Sequence, residues 1–314
     1  MRLIHVTDPH LSTLRGLPLG AMRGKRMSGF LSWTFRRQLV YQRSVLDRLS
    51  DAVNAESPDH LILSGDLVQI GLEEEIVQVR SWLADLAATH QVFFVPGNHD
   101  VYARNSWAAV RRHWHFVLPA PVQGQPDSPT ASYPFTRDLG NIRLIGASSA
   151  CVTPVFSSRG ALGAEQIGRL GAMLAEAREK RFLPCLAIHH PPLPGMSPWM
   201  KALKETQLLQ ALIAEQQPAL VCCGHLHSNI EVTMGAARIF CTASAASVKK
   251  SSFRIFDVES TAGQGCMAWD IHMRLQSIGE DRKKFVLADE KRWRFTLPDE
   301  KTGGAWPAAS GQRR

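Results

Sequence analysis

Five short clusters of metal-ligating side chains constrain this chain more than any other feature: Asp8-Pro9-His10, Gly65-Asp66, Gly97-Asn98-His99-Asp100, His189-His190 and Gly224-His225-Leu226-His227. Each follows an apolar run with the length of a β-strand. In open α/β sheets, ligands gather outside the carboxyl ends of the strands, and all five clusters occupy that position. The sequence therefore asks for a fold that brings five distant turns to one edge.

The runs between the clusters supply such a fold. Residues 3–6, 61–63 and 92–95 read as strands. A helix is predicted over 37–53 with Leu39, Val45, Leu46, Leu49 and Val53 inside. A second, with Glu73, Glu74 and Glu75 in its first turn, carries Ile76, Val79, Leu83 and Leu86 inside. Strand, helix, strand, helix, strand predicts a partly parallel sheet covered by helices. Further along, 142–145, 183–188 and 219–223 read as core strands, 164–177 and 205–216 as helices, and 238–241, 253–258 and 265–273 as antiparallel strands. Residues 118–132, rich in Pro, Gly and Ser, read as surface loop. With 314 residues and 45% hydrophobic content the chain can bury one large core. We read an α/β fold with one domain over residues 1–300, a basic and apolar insertion at about 15–38, and a loose tail over 301–314.

Thirty-six Lys and Arg against 28 Asp and Glu give a formal charge of +8, which favours acidic or phosphorylated partners. Arg15, Arg23, Lys25, Arg26, Arg36, Arg37 and Arg43 stand in a stretch without an acidic residue. Six scattered cysteines, with no CxxC pair, read as small buried hydrophobes of a reducing compartment. The start has no basic segment leading into an apolar core, which argues against a secretory leader, and no apolar run is long enough to predict a spanning helix. A cytoplasmic protein is expected, with peripheral contact to the inner face of an anionic membrane left open by the basic stretch. A nucleic-acid partner is not expected, because no repeated aromatic and basic stacking surface accompanies the charge.

Asp8 and His10 are one residue apart, so in an extended segment they point to the same side and can share an ion. His225 and His227 repeat that spacing. Asp66 offers a carboxylate that could bridge two cations, with Gly65 letting the backbone approach the ion. Asn98 offers an amide oxygen to a hard ion, or closes an Asx turn. His99 has a ring able to stabilise a phosphoryl oxygen or protonate a leaving alkoxide, and Asp100 could orient that ring through its N–H. Adjacent side chains diverge on a strand, so one of His189 and His190 reaches the site, and geometry leaves the choice open. One ion is expected among Asp8, His10, Asp66 and His227, and another among Asp66, Asn98, one of the paired histidines and His225. Carboxylate, amide and imidazole without thiolate fit manganese, with iron, zinc or magnesium as alternatives. Two such ions activate a hydroxide for in-line attack at phosphorus.

With these residues in this order, the chain resembles the calcineurin-like metallophosphoesterase superfamily. Its motifs are an Asp and a His after the first strand, Gly-Asp, Gly-Asn-His-Asp or Gly-Asn-His-Glu, a late His, and Gly-His-x-His; they extend here over roughly residues 1–260. The resemblance implies a sandwich of two mixed β-sheets flanked by helices, with a dinuclear site at the sheet edges that hydrolyses a phosphodiester. It implies His189 as the ligand of the histidine pair, and His99 as the group that stabilises or protonates the departing ester. The compact forms of Asp8-Pro9-His10 and His189-His190-Pro191-Pro192 are similar to those of small bacterial cyclic-nucleotide-phosphodiesterase-like members. A nuclease and a non-catalytic metal-binding protein are the remaining classes.

The insertion interleaves Met22, Met27, Phe30, Leu31, Trp33 and Phe35 with cations. It resembles basic and apolar insertions in enzymes that cleave UDP-2,3-diacylglucosamine, which makes pyrophosphohydrolysis of a lipid-linked sugar nucleotide the alternative reading. The stretch reads as a cap packed on its own domain, a lipid-facing element, or a lid that recognises phosphate. Arg23 and Arg26, with Arg104 after the Asn98 loop, are the expected substrate-binding cations. Arg111, Arg112, His113 and His115 join Arg104 as either a phosphate-facing group or solvated surface, with Trp107, Trp114 and Phe116 as packing residues.

Overall fold

In the computed structural model, residues 1–124, 127–193, 198–262 and 267–297 are described. The loose tail expected at 301–314 lies outside them. In chain order the strands are β1 (Arg2–Val6), β2 (His60–Leu63), β3 (Gln91–Phe94), β4 (Phe135–Leu139), β5 (Ile142–Ala147), β6 (Leu183–Ile188), β7 (Leu220–Cys223), β8 (Ile230–Met234), β9 (Ala237–Cys241), β10 (Ser252–Ala262), β11 (Met267–Ile278) and β12 (Phe285–Thr296). They form two six-stranded sheets, ordered β12-β11-β10-β1-β2-β3 and β4-β5-β6-β7-β9-β8. In the first, β1, β2 and β3 are parallel and β10, β11 and β12 continue antiparallel beyond β1. In the second, β5, β6, β7 and β9 are parallel between antiparallel edges β4 and β8. Both sheets are mixed, as the resemblance implied.

The apolar runs of β6 and β7, and of β5 apart from Arg143, follow from burial on both faces. Leu144, Cys185, Leu220 and Cys222 face the core shared by the two sheets. Their neighbours Ile145, Leu186, Val221 and Cys223 belong to a second core, beneath the helices Ala164–Glu179 and Thr206–Gln216. Helices Arg43–Glu56 and Glu73–Thr89 bury Val45, Leu46, Leu49 and Val53, and Ile76, Val79, Leu83 and Leu86. Among the described residues, no helix is long and apolar enough to cross a membrane. The five described cysteines are free, and four of them are buried.

The helix expected over 37–53 instead begins at Arg43, because the chain is extended at Tyr41 and Gln42. Leu39, expected inside, is 67% exposed. It belongs to the insertion, which runs as an α-helix Lys25–Ser32, a π-helical turn Trp33–Arg37 and a last turn Gln38–Val40. Its inner face seats Met22 and Trp33 in a small core with Leu14, Ile70, Leu72 and Tyr102. The cap reading of the insertion therefore holds for that face.

Strands β4, β8 and β12 were not legible in the sequence. All three lie at or beside sheet edges, where only one face is buried and charges interrupt the apolar pattern. The basic residues Lys291 and Arg292 sit on β12, where Lys291 pairs with Glu231 at 2.5 Å. The 118–132 loop ends in a short helix, Pro129–Ser132, capped by Ser128.

Candidate metal centre

The candidate ligand clusters leave the ends of β1, β2, β3, β6 and β7, and those after β1, β2 and β7 do so through strained turns. Asp8, His10, Asp66, His225 and His227 have φ of 52°, 40°, 58°, 68° and 50°. Left-handed backbone costs an L-residue about 1 kcal/mol or more and persists where the surroundings impose it. Here the turns are stitched to one another. Asp8 N donates to Gly65 O (2.9 Å), His10 N to Asp66 O (3.0 Å), Gly224 N to His189 O (3.0 Å) and His225 N to Asp8 Oδ2 (3.0 Å).

Two expected roles change. A Cβ on Gly65, which has φ 85°, would lie 2.2 Å from Gly97 N, so this glycine allows two loops to touch backbone to backbone; approach to an ion is not what requires it. Asp100 does not hold the His99 ring. Its carboxylate accepts the N–H groups of Asp66, Leu67 and Gly97, each at 2.8 Å, and so fixes the loop that carries Asp66. The His99 ring is held instead through Nδ1 by the carbonyl of Gln69. Gln69 and its neighbours are in turn pinned by the buried carboxylate of Glu75, which accepts from Gln69 N and Leu72 N.

Four side chains converge on one point: ligand atoms of Asp8, His10, Asp66 and His227 lie within 4.8 Å of one another. Asp66 Oδ2 is 3.3 Å from His189 Nε2, 3.9 Å from His10 Nε2 and 4.0 Å from His99 Nε2. Asp8 Oδ1 is 2.9 Å from His227 Nε2. His10 and His189 place Nδ1 on the carbonyls of Val68 (3.1 Å) and Ser64 (2.7 Å), which puts a proton on Nδ1 and turns Nε2 toward the carboxylates, where a bound ion would take the place of any proton it carries. His225 places Nε2 on Lys201 O at 2.9 Å, which leaves Nδ1. Asn98 Oδ1 and His189 Nε2 are fully buried without a hydrogen bond of good geometry. Orphaned polar atoms of that kind are rare unless an ion or water satisfies them.

A second group, His189, His190 and His225, also brings ligand atoms within 4.8 Å. Both ring nitrogens of His190 are already engaged, by Ser149 Oγ at 2.8 Å and Ser158 O at 3.0 Å. His190 therefore braces the loop, and of the pair it is His189 whose free nitrogen faces Asp66.

The electrostatics suit a candidate cation site. Asp8 and Asp66 are buried, and among the described residues no Lys or Arg nitrogen pairs with either. Burial opposes their charge, but His227 beside Asp8, and His189 and His99 beside Asp66, hold both carboxyls below the usual range. Burial also works against a charged His189, yet the Asp66 carboxylate raises it to about 10. For His10 burial prevails over Asp66 and lowers it to about 4. Buried carboxylates need a paired charge, and here imidazoles alone provide it.

The cavity over these residues, about 390 Å³, is lined by Ser32, Arg36, Arg37, Tyr41, Ser158 and Lys201 along with Asp66, Asn98, His99, His225 and His227. The expected substrate cations are elsewhere. Arg26 turns inward and donates to Ile70 O (3.2 Å), Gly71 O (2.7 Å) and Asn105 Oδ1 (2.9 Å), because its position falls on the packed side of the insertion. Arg23 and Arg104 are exposed and do not line the cavity. Arg112 and His113 bind Glu73, at 2.5 and 2.9 Å, and Arg111 donates to Pro119 O and Ser132 Oγ, so that group is spent on its own surroundings. Trp107 and Trp114 are core residues, whereas Phe116 is partly exposed.

Tyr41 was not anticipated. Its hydroxyl lies 2.7 Å from His227 Nδ1, a partner 186 residues away, so no local pattern marks it. Removing such an outer contact typically costs about 10–100-fold in metal affinity or activity. Tyr41→Phe is expected to weaken metal activation about tenfold with little change in melting temperature, read from activity against added Mn²⁺.

The calcineurin-like phosphoesterase family model matches residues 1–229. A glycerophosphodiester phosphodiesterase, GpdQ, of Enterobacter lignolyticus (strain SCF1) is 29% identical over 237 residues, covering 74% of this chain and 73% of that protein. A probable cyclic nucleotide phosphodiesterase of Synechococcus sp. (strain WH7803) is 24% identical over 231 residues, covering 73% and 75%. Among solved structures, purple acid phosphatase PPD1 from yellow lupin seeds shares the fold with a TM-score of 0.62 at 11% identity, covering 93% of this chain and 53% of that one. A dimetal phosphatase from Danio rerio does so at 0.56 and 14%, covering 91% and 98%. The motifs, the two-sheet architecture and the family match agree: the chain belongs to the calcineurin-like phosphoesterases and is a metal-dependent phosphoester hydrolase.

Proposed function

We propose that the protein hydrolyses a phosphodiester of a small phosphorylated molecule at a dinuclear centre. Asp8, His10, Asp66 and His227 hold one divalent ion, and Asp66, Asn98, His189 and His225 hold the other. The observation that carries this reading is the position of Asp66 Oδ2 between the two donor sets, 3.9 Å from His10 Nε2 and 3.3 Å from His189 Nε2. When bound, such ions supply Lewis acidity and a nucleophile at neutral pH, and manganese suits the donors. His99, with Nδ1 held by Gln69, turns Nε2 toward the cavity; burial holds the ring well below the usual imidazole range, so its donation to a phosphoryl oxygen or the departing alkoxide requires the negative charge of a bound phosphate to draw a proton onto Nε2. Arg36, Arg37 and Lys201 line the same cavity and offer charge-assisted hydrogen bonds to phosphate. The two phosphodiesterase relatives support a diester over a monoester.

Chelated protein should be inactive on bis(p-nitrophenyl) phosphate and regain activity as Mn²⁺ approaches two equivalents per chain. Full recovery at one equivalent would remove the dinuclear assignment. A second reading, cleavage of the pyrophosphate of a lipid-linked sugar nucleotide such as UDP-2,3-diacylglucosamine, is favoured by apolar side chains exposed beside Arg36 and Arg37. Phosphorus product analysis of that substrate against a cyclic nucleotide separates the two.

A further inference from the structure

The outer side of the insertion carries a row of large apolar residues spaced by four: Met27, Leu31, Phe35 and Leu39, exposed by 43%, 47%, 77% and 67%. Single exposed hydrophobes are ordinary, whereas an aligned row is not. At about 3.6 residues per turn, a four-residue spacing would drift around an α-helix. The wider π-helical turn at Trp33–Arg37 takes up that drift, so the row stays on the side opposite Trp33. The loop that lines the same cavity at Ser158 forms a second rim, and just before Ser158 it exposes Phe156 by 80% and Val155 by 42%. Phe156 also has φ 64°, a strained backbone for an aromatic residue. Lys25 Nζ ties the two rims by a 2.5 Å bond to Thr153 Oγ1.

Charge decides what these rims meet. From Pro9 to Leu46 there are seven cations and no carboxylate, so this stretch accounts for +7 of the chain's +8. Arg15, Arg23 and Arg36 are exposed there, whereas Arg43 pairs with Asp47 just beyond the stretch, at 2.6 Å. An apolar row flanked by cations and free of carboxylates matches the interface of a bilayer bearing anionic headgroups, with side chains entering the acyl boundary and cations at the phosphates.

We infer that the two rims form a docking surface for an anionic lipid bilayer, seated so that the metal cavity opens onto phosphoesters in that surface. The substrate half of this inference rests on the function proposed above, whereas the docking half does not. Intact protein should co-sediment with phosphatidylglycerol vesicles, fail to do so with phosphatidylcholine vesicles, and detach as salt rises. The variant carrying Phe35→Ser, Leu39→Ser and Phe156→Ser should lose binding at least about tenfold while its hydrolysis of soluble bis(p-nitrophenyl) phosphate is unchanged. Equal sedimentation with and without anionic vesicles, or undiminished binding by the variant, would overturn the docking surface. So would a lipid-free dimer in sedimentation velocity that the variant dissolves, which would give the face to a second copy of the chain. Docking with no hydrolysis of the soluble diester would leave this surface standing and count against the proposed function.

Discussion

Asp66→Asn is expected to lower kcat/KM on bis(p-nitrophenyl) phosphate by about 10³-fold or more and to reduce Mn²⁺ stoichiometry from two to one. Metal stabilisation of a phosphoryl transition state is worth several kcal/mol, and each 1.4 kcal/mol or so is a factor of ten. The substitution is nearly isosteric. Asp66 Oδ1 accepts His99 N at 2.7 Å, and the amide oxygen of Asn can keep that bond, so the loop should survive. What is lost is the negative charge at Oδ2, the atom nearest His189, His10 and His99. Without it, two ions held by the proposed donor sets would repel with no charge to offset them. Calorimetric metal titration and steady-state kinetics read the two effects independently. A variant with two tight sites and more than a tenth of the activity would show that Asp66 is not the bridge.

Gly65→Ala should destabilise the ion-free protein by roughly 3–5 kcal/mol, the sum of left-handed strain and overpacking. In a chain of this size that corresponds to a fall of roughly 5–8 °C in melting temperature by calorimetry. The new methyl would stand 2.2 Å from Gly97 N and 2.7 Å from Gly97 Cα, backbone atoms that cannot swing aside. Gly16→Ala is the control: Gly16 shares a positive φ of 75° but has nothing within 4 Å of a Cβ. It should cost only about 1 kcal/mol, the strain alone. Equal effects at the two positions would mean that the contact between the Gly65 and Gly97 loops is dispensable.

The metal clusters were legible because each is local: a turn residue, a ligand and a spacing that puts side chains on one side of the chain. The roles of Asp100 and Tyr41 were not, because their partners lie across the fold: Asp100 reaches back 33 and 34 residues to the N–H groups of Leu67 and Asp66, and Tyr41 forward 186 to His227. The misplacement of Arg26 has a different origin. Treating 15–38 as a composition of charges ignored its helical period. Met22, Arg26, Gly29 and Trp33, spaced by three and four, mark the packed side, and the same period sets Met27, Leu31, Phe35 and Leu39 outside. The extent of the sheets was underestimated most at β4, β8 and β12, where solvent on one face allows a strand to carry charges that a buried one could not.

The proposed donors of the metal centre come from two separate sheets. Asp8, His10, Asp66 and Asn98 follow strands of the first, and His189, His225 and His227 follow strands of the second. What keeps one half in register with the other is the filling between the sheets, including Phe240 against Phe256 (5.2 Å) and Phe93 against Phe135 (4.5 Å), each pair with one ring from each sheet. A slip of one layer over the other would leave every turn intact yet change all the cross-layer distances at once. The rings in the interior thus act as the gauge blocks of the reaction chamber, setting its width from a part of the molecule that no substrate reaches.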